Sequence, residues 1–187
     1  MRRWHISDLE ALHEAVETSH EHLLPWMPWA SLWDLSSGRD FLSRAATDGT
    51  PGESRQEALY AIVDGRDRLM GGAGLHRRLG PGALEIGYWV DVRFTRRGVA
   101  TAASALLTEF AFTVAGVGRV EIHHDAANEA SAGVPAKLGF THFATFEDDP
   151  EAPAEVGIEM QWRMWRRDFP ASGAAALLEE MRSARRS

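Results

Sequence analysis

Apolar residues recur at helical spacing through the first part of the chain. This periodicity predicts a helix over about residues 8–20, with Ser7 and Glu10 as a capping box at its start. A short strand over residues 1–6 precedes that helix, and a further helix follows from about residue 34 to 46. The turn-rich segment TDGTPGES then ends the helical part of the chain.

The middle of the chain changes to strand-like runs separated by turns. EALYAIV, RLMGGAGLHR and ALEIGYWV predict an antiparallel meander, because DGRD and GPG turns lie between them. An apolar stripe then predicts a helix from Gly98 to Val114, and RVEIHHD follows as a strand. Since strand, helix and strand in succession form a crossover, ALEIGYWV and RVEIHHD are expected to run parallel within an otherwise antiparallel sheet.

The rest of the chain predicts a short helix in NEASAGVPAKLG and strands in FTHFATF and VGIEMQWRMW. An amphipathic helix is expected from about Pro170. The pattern as a whole predicts a single domain over residues 1–169 and a helical tail over residues 170–187.

Composition and charge narrow the possible functions. The chain has 187 residues, of which 44% are hydrophobic and 25% charged, and this composition is typical of a globular protein. The lack of cysteine excludes disulfides, thiolate metal sites and a cysteine nucleophile. We expect a cytoplasmic protein without a membrane partner, because the chain has no apolar signal region and no stretch of spanning length. The net charge of −7 argues against nucleic-acid binding and favours a cationic partner.

The segment RFTRRGVATAA places positive charge where a helix begins. The first turn of a helix favours anions, yet no carboxylate lies between Thr95 and Glu109. One interpretation is that an external anion binds at Gly98, where the backbone can approach a phosphate closely and Arg96 and Arg97 add charge. The alternative is an exposed basic helix start with a tight turn.

Several segments in the same order and spacing carry a family resemblance. ALEIGYWV, RFTRRGVATAA, RVEIHHDAANEAS and AKLGF resemble the GNAT acyltransferase superfamily, in particular its RimJ/RimL-like N-acetyltransferase branch. The resemblance covers residues 1 to about 168 and includes HLLPWMPWA, which is similar to the tryptophan-rich second helix of that branch. It implies an α/β fold: a mixed, mostly antiparallel sheet of about seven strands with a splayed central parallel pair, flanked by helices on both faces.

The resemblance also implies acetyl transfer from acetyl-CoA, as cosubstrate and without a metal, to an amine of a protein N-terminus or a small molecule. In the family the pantetheine arm pairs with the first parallel strand, and the pyrophosphate lies on amides of the following loop. The expected cofactor-binding residues are Trp89, Val90, Val92, Arg96, Arg97, Gly98, Val99, Ala100, Thr101 and Asn128.

The chain departs from the family pattern at three positions. Thr95 stands where the family usually has Gln or Arg, and Arg96 stands where it often has Gly. Pro135 replaces the tyrosine that many relatives use as general acid, so that mechanism cannot operate from this position.

Two residues are candidates for the chemistry itself. Glu85 resembles the family's general base, and its place between Leu84 and Ile86 on a central strand indicates burial. The alternative is a structural carboxylate paired with an arginine. Ser131 matches the serine that attends the leaving thiolate in RimL-like relatives. Its alternative role is to cap the helix that Gly133 and Pro135 shorten.

The acceptor side is expected to involve aromatic and charged groups. Trp26, Trp29 and Trp33 share one face and either contact the substrate or pack in the core. His123 and its neighbour His124 face opposite sides of a strand, so they cannot chelate one metal together. His123 is a candidate substrate-binding residue, with a half-exposed structural histidine as the alternative.

The acidic segment EDDPEAPAE is expected either to be a solvated loop or to flank the acceptor entrance. The leading functional hypothesis is an N-acetyltransferase, and the alternative is a catalytically silent GNAT-fold module that binds CoA. A homodimer is possible.

Overall fold

The computed structural model describes residues 1–45, 56–184 and 186, and within these residues seven strands form one sheet. Along the sheet the strands are ordered β1-β2-β3-β4-β5-β7-β6, and only β4 and β5 are parallel neighbours. This arrangement confirms the predicted mixed sheet with one central parallel pair. The strands are β1 Arg2–Arg3, β2 Glu57–Val63, β3 Leu69–His76, β4 Ala83–Val90, β5 Arg119–Asp125, β6 Thr141–Glu147 and β7 Ile158–Trp165.

Helices cover both faces of this sheet. Neighbouring strand residues point to opposite faces, and so Ala61 packs in a core with the first three helices while Ile62 packs in a core with the last three. The helices are α1 Leu9–Thr18, α2 His20–Leu23, α3 Leu35–Ala45, α4 Val99–Thr113, α5 Glu129–Leu138 and α6 Gly173–Ala184.

The parallel pairing between β4 and β5 is short. It joins three residue pairs, from Ala83 opposite Arg119 to Glu85 opposite Glu121. Past Glu85, β4 continues to Val90 while paired only with β3 in the described chain. A gap therefore opens between the two strands, as the resemblance implies.

The start of the first helix differs from the prediction. The capping box of Ser7 and Glu10 is wrong, because a 3-10 turn precedes α1 and the Asp8 carboxylate accepts the His5 amide at 2.8 Å. Arg2 holds that carboxylate through a 2.7 Å ion pair. The predicted first strand is also shorter than residues 1–6, since only Arg2–Arg3 pairs with β2.

The C-terminal helix is part of the main core. In α6, Ala174 and Leu178 are 0% and 2% exposed and belong to the cluster formed with α4 and the sheet. Arg182 of α6 donates to Glu109 of α4 at 2.5 Å. The predicted turn in TDGTPGES lies outside the described residues.

Candidate active site

A cleft of about 800 Å³ lies where β4 and β5 separate. Its lining includes Glu85, Tyr88 and Trp89 of β4, together with His123 of β5 and Ser131 of α5. Alternation along β4 sends Glu85 and Trp89 toward the α1–α3 face and Tyr88 toward the α4–α6 face. The cleft therefore connects the two faces of the sheet through the gap.

Glycines in β3 and β4 keep the floor of this cleft open. Gly72 pairs with Trp89, and a Cβ atom at Gly72 would lie 2.6 Å from the indole nitrogen of Trp89. The glycine thus lets the indole lie against the strand. Gly74 pairs with Gly87 in the same register, and neither residue has a side chain to fill the middle of the floor.

Glu85 is a buried carboxylate held by an arginine. Its side chain is 8% exposed, and Arg78 donates Nε–H to Oε2 at 2.7 Å and Nη2–H to Oε1 at 2.5 Å. The structure therefore contains the arginine partner that the alternative interpretation of Glu85 required. The sequence did not indicate Arg78, which reaches Glu85 only because the hairpin between β3 and β4 brings them together. Oε2 also lies 3.9 Å from Nδ1 of His123, on the acceptor side of the gap.

His123 lies among three carboxylates on the cleft side of β5. Its Nε2 is 2.9 Å from Glu121, and its Nδ1 is 3.6 Å from Glu159 and 3.9 Å from Glu85. Burial lowers the pKa of His123, but the hydrogen bond with Glu121 and the charges of Glu85 and Glu159 outweigh it, so the net shift is upward. A protonated His123 would neutralise part of the charge beside Glu85.

His124 occupies a different environment from its neighbour. Nδ1 lies 2.8 Å from the carbonyl oxygen of Asp125, and Nε2 accepts from the indole nitrogen of Trp162 at 2.9 Å. Because Nε2 accepts, the proton of the neutral ring belongs on Nδ1, which donates to Asp125. Burial lowers the pKa of His124. His124 is thus a structurally satisfied histidine.

Tyr88 and Ser131 form a hydroxyl pair across the gap that the sequence analysis missed. The phenol oxygen of Tyr88 is 2.9 Å from Oγ of Ser131 and donates to the Ser131 carbonyl at 3.3 Å. That carbonyl is available because Pro135, four residues further along α5, has no N–H to donate. Burial raises the pKa of Tyr88 to about 12, while the bond with Ser131 opposes this shift. Tyr88 therefore keeps its proton at neutral pH.

The alternative role of Ser131 as a helix cap is wrong. Asn128 is the N-cap of α5, and its Oδ1 accepts the Ser131 amide at 3.0 Å. The helix also continues through Pro135 to Leu138, so neither Gly133 nor Pro135 shortens it. The side chain of Ser131 is free of the capping role and lies beside Tyr88.

The predicted pyrophosphate loop leads into the first turn of α4. Gly98 is its N-cap with a φ of 75°, and no heavy atom lies within 4 Å of a Cβ built there. The Ala102 amide donates to the Gly98 carbonyl, so the amides before Ala102 lie in the first turn, where a helix leaves its donors unpaired. Arg96 has a φ of 59°, the left-handed region that favours the glycine of the family pattern.

The other predicted cofactor-binding residues surround this turn. Val99, Ala100 and Thr101 form the half-buried start of α4, and Arg97 is exposed. The Arg97 guanidinium lies 5.6 Å from the ring centre of Phe94. The Val92 amide donates to Oγ of Ser19 at 2.9 Å, which joins this loop to the end of α1.

The predicted tryptophans all reach the cleft. Trp26, Trp29 and Trp33 line it, with Trp29 edge-on to Trp33 at 5.6 Å and to Trp89 at 6.0 Å between ring centres. Trp29 is 38% exposed. The backbone of Trp89 borders the gap, whereas its indole belongs to this aromatic cluster.

Comparison with known proteins assigns the chain to a family. The family model described as the acetyltransferase (GNAT) domain matches residues 1–141. The chain belongs to the GNAT acetyltransferase family. This membership confirms the family that the sequence predicted.

One curated relative and several solved structures are similar to this chain. A stretch of 56 residues is 41% identical to the candidate ribosomal N-acetyltransferase YdaF of Bacillus subtilis (strain 168), covering 30% of this chain and 31% of that protein. The match therefore spans about a third of that relative's length. RimJ of Mycobacterium smegmatis, in complex with CoA-disulfide, superposes with a TM-score of 0.81 at 24% identity, covering 97% of this chain and 88% of that one.

A second solved structure has the same fold. RimL, a ribosomal L7/L12 alpha-N-protein acetyltransferase in complex with coenzyme A, superposes with a TM-score of 0.73 at 19% identity. The superposition covers 88% of this GNAT protein and 92% of RimL.

The residues that the structure describes contain neither a candidate membrane span nor a candidate metal site. None of the helices in them is both long enough and apolar enough to span a bilayer. In the same residues, no group of three or more His, Asp or Glu side chains is arranged to hold a metal ion.

Proposed function

We propose that this GNAT protein transfers the acetyl group of acetyl-CoA directly to a primary amine, without a covalent enzyme intermediate. The amine arrives as an ammonium ion, loses one proton to Glu85, and attacks the thioester carbonyl carbon. A C–N bond forms, and the C–S bond breaks with its electron pair remaining on sulfur. After the attack the nitrogen loses a second proton and the sulfur takes up one, so the products are an N-acetyl amide, CoA and the one proton that Glu85 releases to solvent.

The roles of the residues follow from their places around the gap. Glu85 and His123 lie on the acceptor side, where Glu85 is the base and His123 contacts its carboxylate. Tyr88 and Ser131 lie on the other side. Tyr88 donates its proton toward Ser131, and the Ser131 hydroxyl is then free to donate a hydrogen bond to the leaving thiolate. Backbone amides near Val90 polarise the thioester carbonyl.

The end of the β4–β5 ladder is the observation that carries this proposal. The last pair, Glu85 opposite Glu121, places a buried carboxylate at the mouth of the gap, and the Tyr88–Ser131 pair lies just beyond it. Membership of the GNAT family and the CoA complexes of RimJ and RimL support acetyl-CoA as the donor.

Thiol release tests the reaction. Incubation of the protein with acetyl-CoA and a panel of primary amines should release CoA thiol in proportion to the acetylated amine that mass spectrometry detects. If CoA raises the melting temperature but no amine causes release, the alternative of a catalytically silent CoA-binding module is supported instead.

The pyrophosphate site has a matched test in two glycines. Gly98→Asp places a negative side chain at the first turn of α4 and should abolish CoA binding in calorimetry. Gly80→Asp is the control, because Gly80 also has a left-handed φ of 80° and open space around a built Cβ, but it lies in the turn between β3 and β4. The two variants suffer similar backbone strain, so retained CoA affinity in Gly98→Asp would refute the assignment.

A further inference from the structure

The loop between β6 and β7 crosses the acceptor side of the cleft. The amide of Ala154 in this loop donates to the carbonyl of Pro25 at 3.0 Å. Pro25 belongs to the segment beside β2–β4, whereas β7 pairs with β5, so this bond joins the two sides of the gap. We call residues 148–157 the strap.

The strap is held at several points. At its β7 end, the Asp125 carboxylate accepts the amides of Val156 and Gly157, both at 3.0 Å. Within it, the Glu155 carboxylate accepts the amides of Glu151 and Ala152 at 2.6 and 3.0 Å. These bonds fix the shape of the strap, which contributes Glu151 and Glu155 to the lining of the cleft while most of its other residues face solvent.

The floor beneath the strap has two unlike ends. At one end Glu85 pairs with His76, in the middle Gly87 pairs with Gly74, and at the other end Trp89 pairs with Gly72. Glu85 and Trp89 are four positions apart along the strand, which corresponds to about 13 Å. The bare glycine surface therefore runs between a charged end and an aromatic end.

The two ends differ in what they can bind. Glu57, Asp125, Glu151 and Glu155 line the cleft in addition to Glu85. These five carboxylates exceed the two arginines of the lining, Arg44 and Arg78, and the surplus favours a cation. At the aromatic end Trp29 is 38% exposed and Leu32 is 84% exposed. Exposed apolar side chains gathered in a cleft are typical of a surface that a ligand covers.

We propose that the acceptor is a compact primary amine carried on a flat apolar body. This inference rests on the proposed N-acetyltransferase function and names the class of its substrate. The ammonium group lies at the carboxylate end and the apolar body at the tryptophan end. The cleft of about 800 Å³ must also hold the acetyl thioester beside Tyr88 and Ser131, so the space left for the acceptor fits a small molecule, and a protein chain would have to continue out from beneath the strap.

Three acceptors with the same α-amino group separate the possibilities. Phenylalaninamide is the compact amine with a ring, alaninamide lacks the ring, and a decapeptide that begins with Phe keeps the ring but extends the chain. We expect kcat/KM for phenylalaninamide to exceed both others by about tenfold or more. If kcat/KM for the decapeptide equals or exceeds that for phenylalaninamide, the acceptor is not compact. If kcat/KM for alaninamide equals that for phenylalaninamide, the acceptor needs no apolar body.

A pair of tryptophan variants tests the aromatic end. Trp29→Ala should lower kcat/KM for phenylalaninamide by about tenfold and for alaninamide much less. Trp165→Ala is the control. Trp165 is 39% exposed, about as much as Trp29, but it lies at the end of β7 outside the cleft. If Trp29→Ala has the same kcat/KM as the wild type for both amides, the proposal is contradicted.

The outcome also distinguishes this inference from the proposed function. Thiol release with the decapeptide alone would leave the N-acetyltransferase function intact and reject only the compact acceptor. Binding of CoA without release for any of the three amines, or for the wider amine panel, would instead reject the function itself.

Discussion

Two buried carboxylates mark the point where β4 and β5 part. Glu85 is held by Arg78, while Glu121 accepts from Arg119 at 3.0 Å and from Arg163 at 2.7 Å. Because two arginines and a histidine surround the Glu121 carboxylate, its role is structural. Glu85 has one arginine, and because the Arg78 side chain is 63% exposed, that partner can move toward solvent.

Glu85→Gln tests the base. The amide keeps the shape but cannot accept a proton, so we expect kcat at pH 7 to fall by about 100-fold while the dissociation constant for CoA stays within about twofold. Glu57→Gln is the matched control, because Glu57 lines the same cleft and pairs with His76 at 3.5 Å. Equal losses in both variants would show that the cleft acts through its total charge and not through one base.

The hydroxyl pair of Tyr88 and Ser131 allows a double-mutant cycle. Tyr88→Phe and Ser131→Ala should each lower kcat by about tenfold or more, and the double variant should lose less than the product of the two, because each hydroxyl acts through the other. The pKa of about 12 for Tyr88 means that no ionisation of this residue should appear in the rate profile between pH 6 and about 10. Independent, multiplicative losses would show that the two hydroxyls do not act as a unit.

At the scale of elements, α6 contributes directly to the core. Leu178→Ala should lower the free energy of unfolding by about 2 to 4 kcal/mol, because the side chain is 2% exposed and leaves a cavity against the sheet. Leu177→Ala, at the half-buried neighbouring position, should cost clearly less. Denaturant unfolding of both variants measures the difference, and equal effects would argue that α6 detaches before the core unfolds.

The elements themselves were largely predictable, because periodicity is a local property of the sequence. The helix predicted from Gly98 to Val114 is α4, Val99–Thr113, and RVEIHHD coincides with β5. The contacts that define the site were not predictable, since they depend on register and packing between distant segments. Tyr88 and Ser131 are 43 positions apart, and Pro135, four residues beyond the serine, leaves the Ser131 carbonyl free for the second bond from Tyr88.

The first helix shows how a local signal can fail. Ser7 and Glu10 fit a capping box, but Arg2 and Asp8 form an ion pair that the spacing alone does not reveal. That pair places the Asp8 carboxylate against the His5 amide, so the turn begins two residues earlier than the capping box implies. An ion pair between residues six positions apart thus overrides the capping-box signal.

At the scale of the whole molecule, Glu121 links folding to pH. Burial alone would raise its pKa, but hydrogen bonds from His123 and Arg163 lower it from 4.5 to about 2. A carboxyl group with a lowered pKa stabilises the fold above its unfolded pKa and loses that contribution as the pH falls through the folded value. We therefore expect stability to decline between about pH 5 and 2, with Glu121 contributing about 3 kcal/mol of it.

Urea unfolding of Glu121→Gln against pH checks this expectation. The variant should be less stable than the wild type at pH 7, and the difference in their free energies of unfolding should become smaller as the pH approaches 2. His123 acts in the opposite direction: its pKa is raised, so its contribution is present below pH 6.5 and is lost as the pH rises through the folded value. If the stability difference between Glu121→Gln and the wild type stayed constant down to pH 2, the lowered pKa of Glu121 would be contradicted.

The short β4–β5 ladder also has a mechanical consequence. Four strands lie on one side of it and three on the other, and in the described residues the ladder that joins the two halves consists of three residue pairs. An extended ligand with alternating donors and acceptors can add to such an open edge as a strand would. The two half-sheets can then move together as one body, so that occupancy of the gap decides how stiff the whole sheet is.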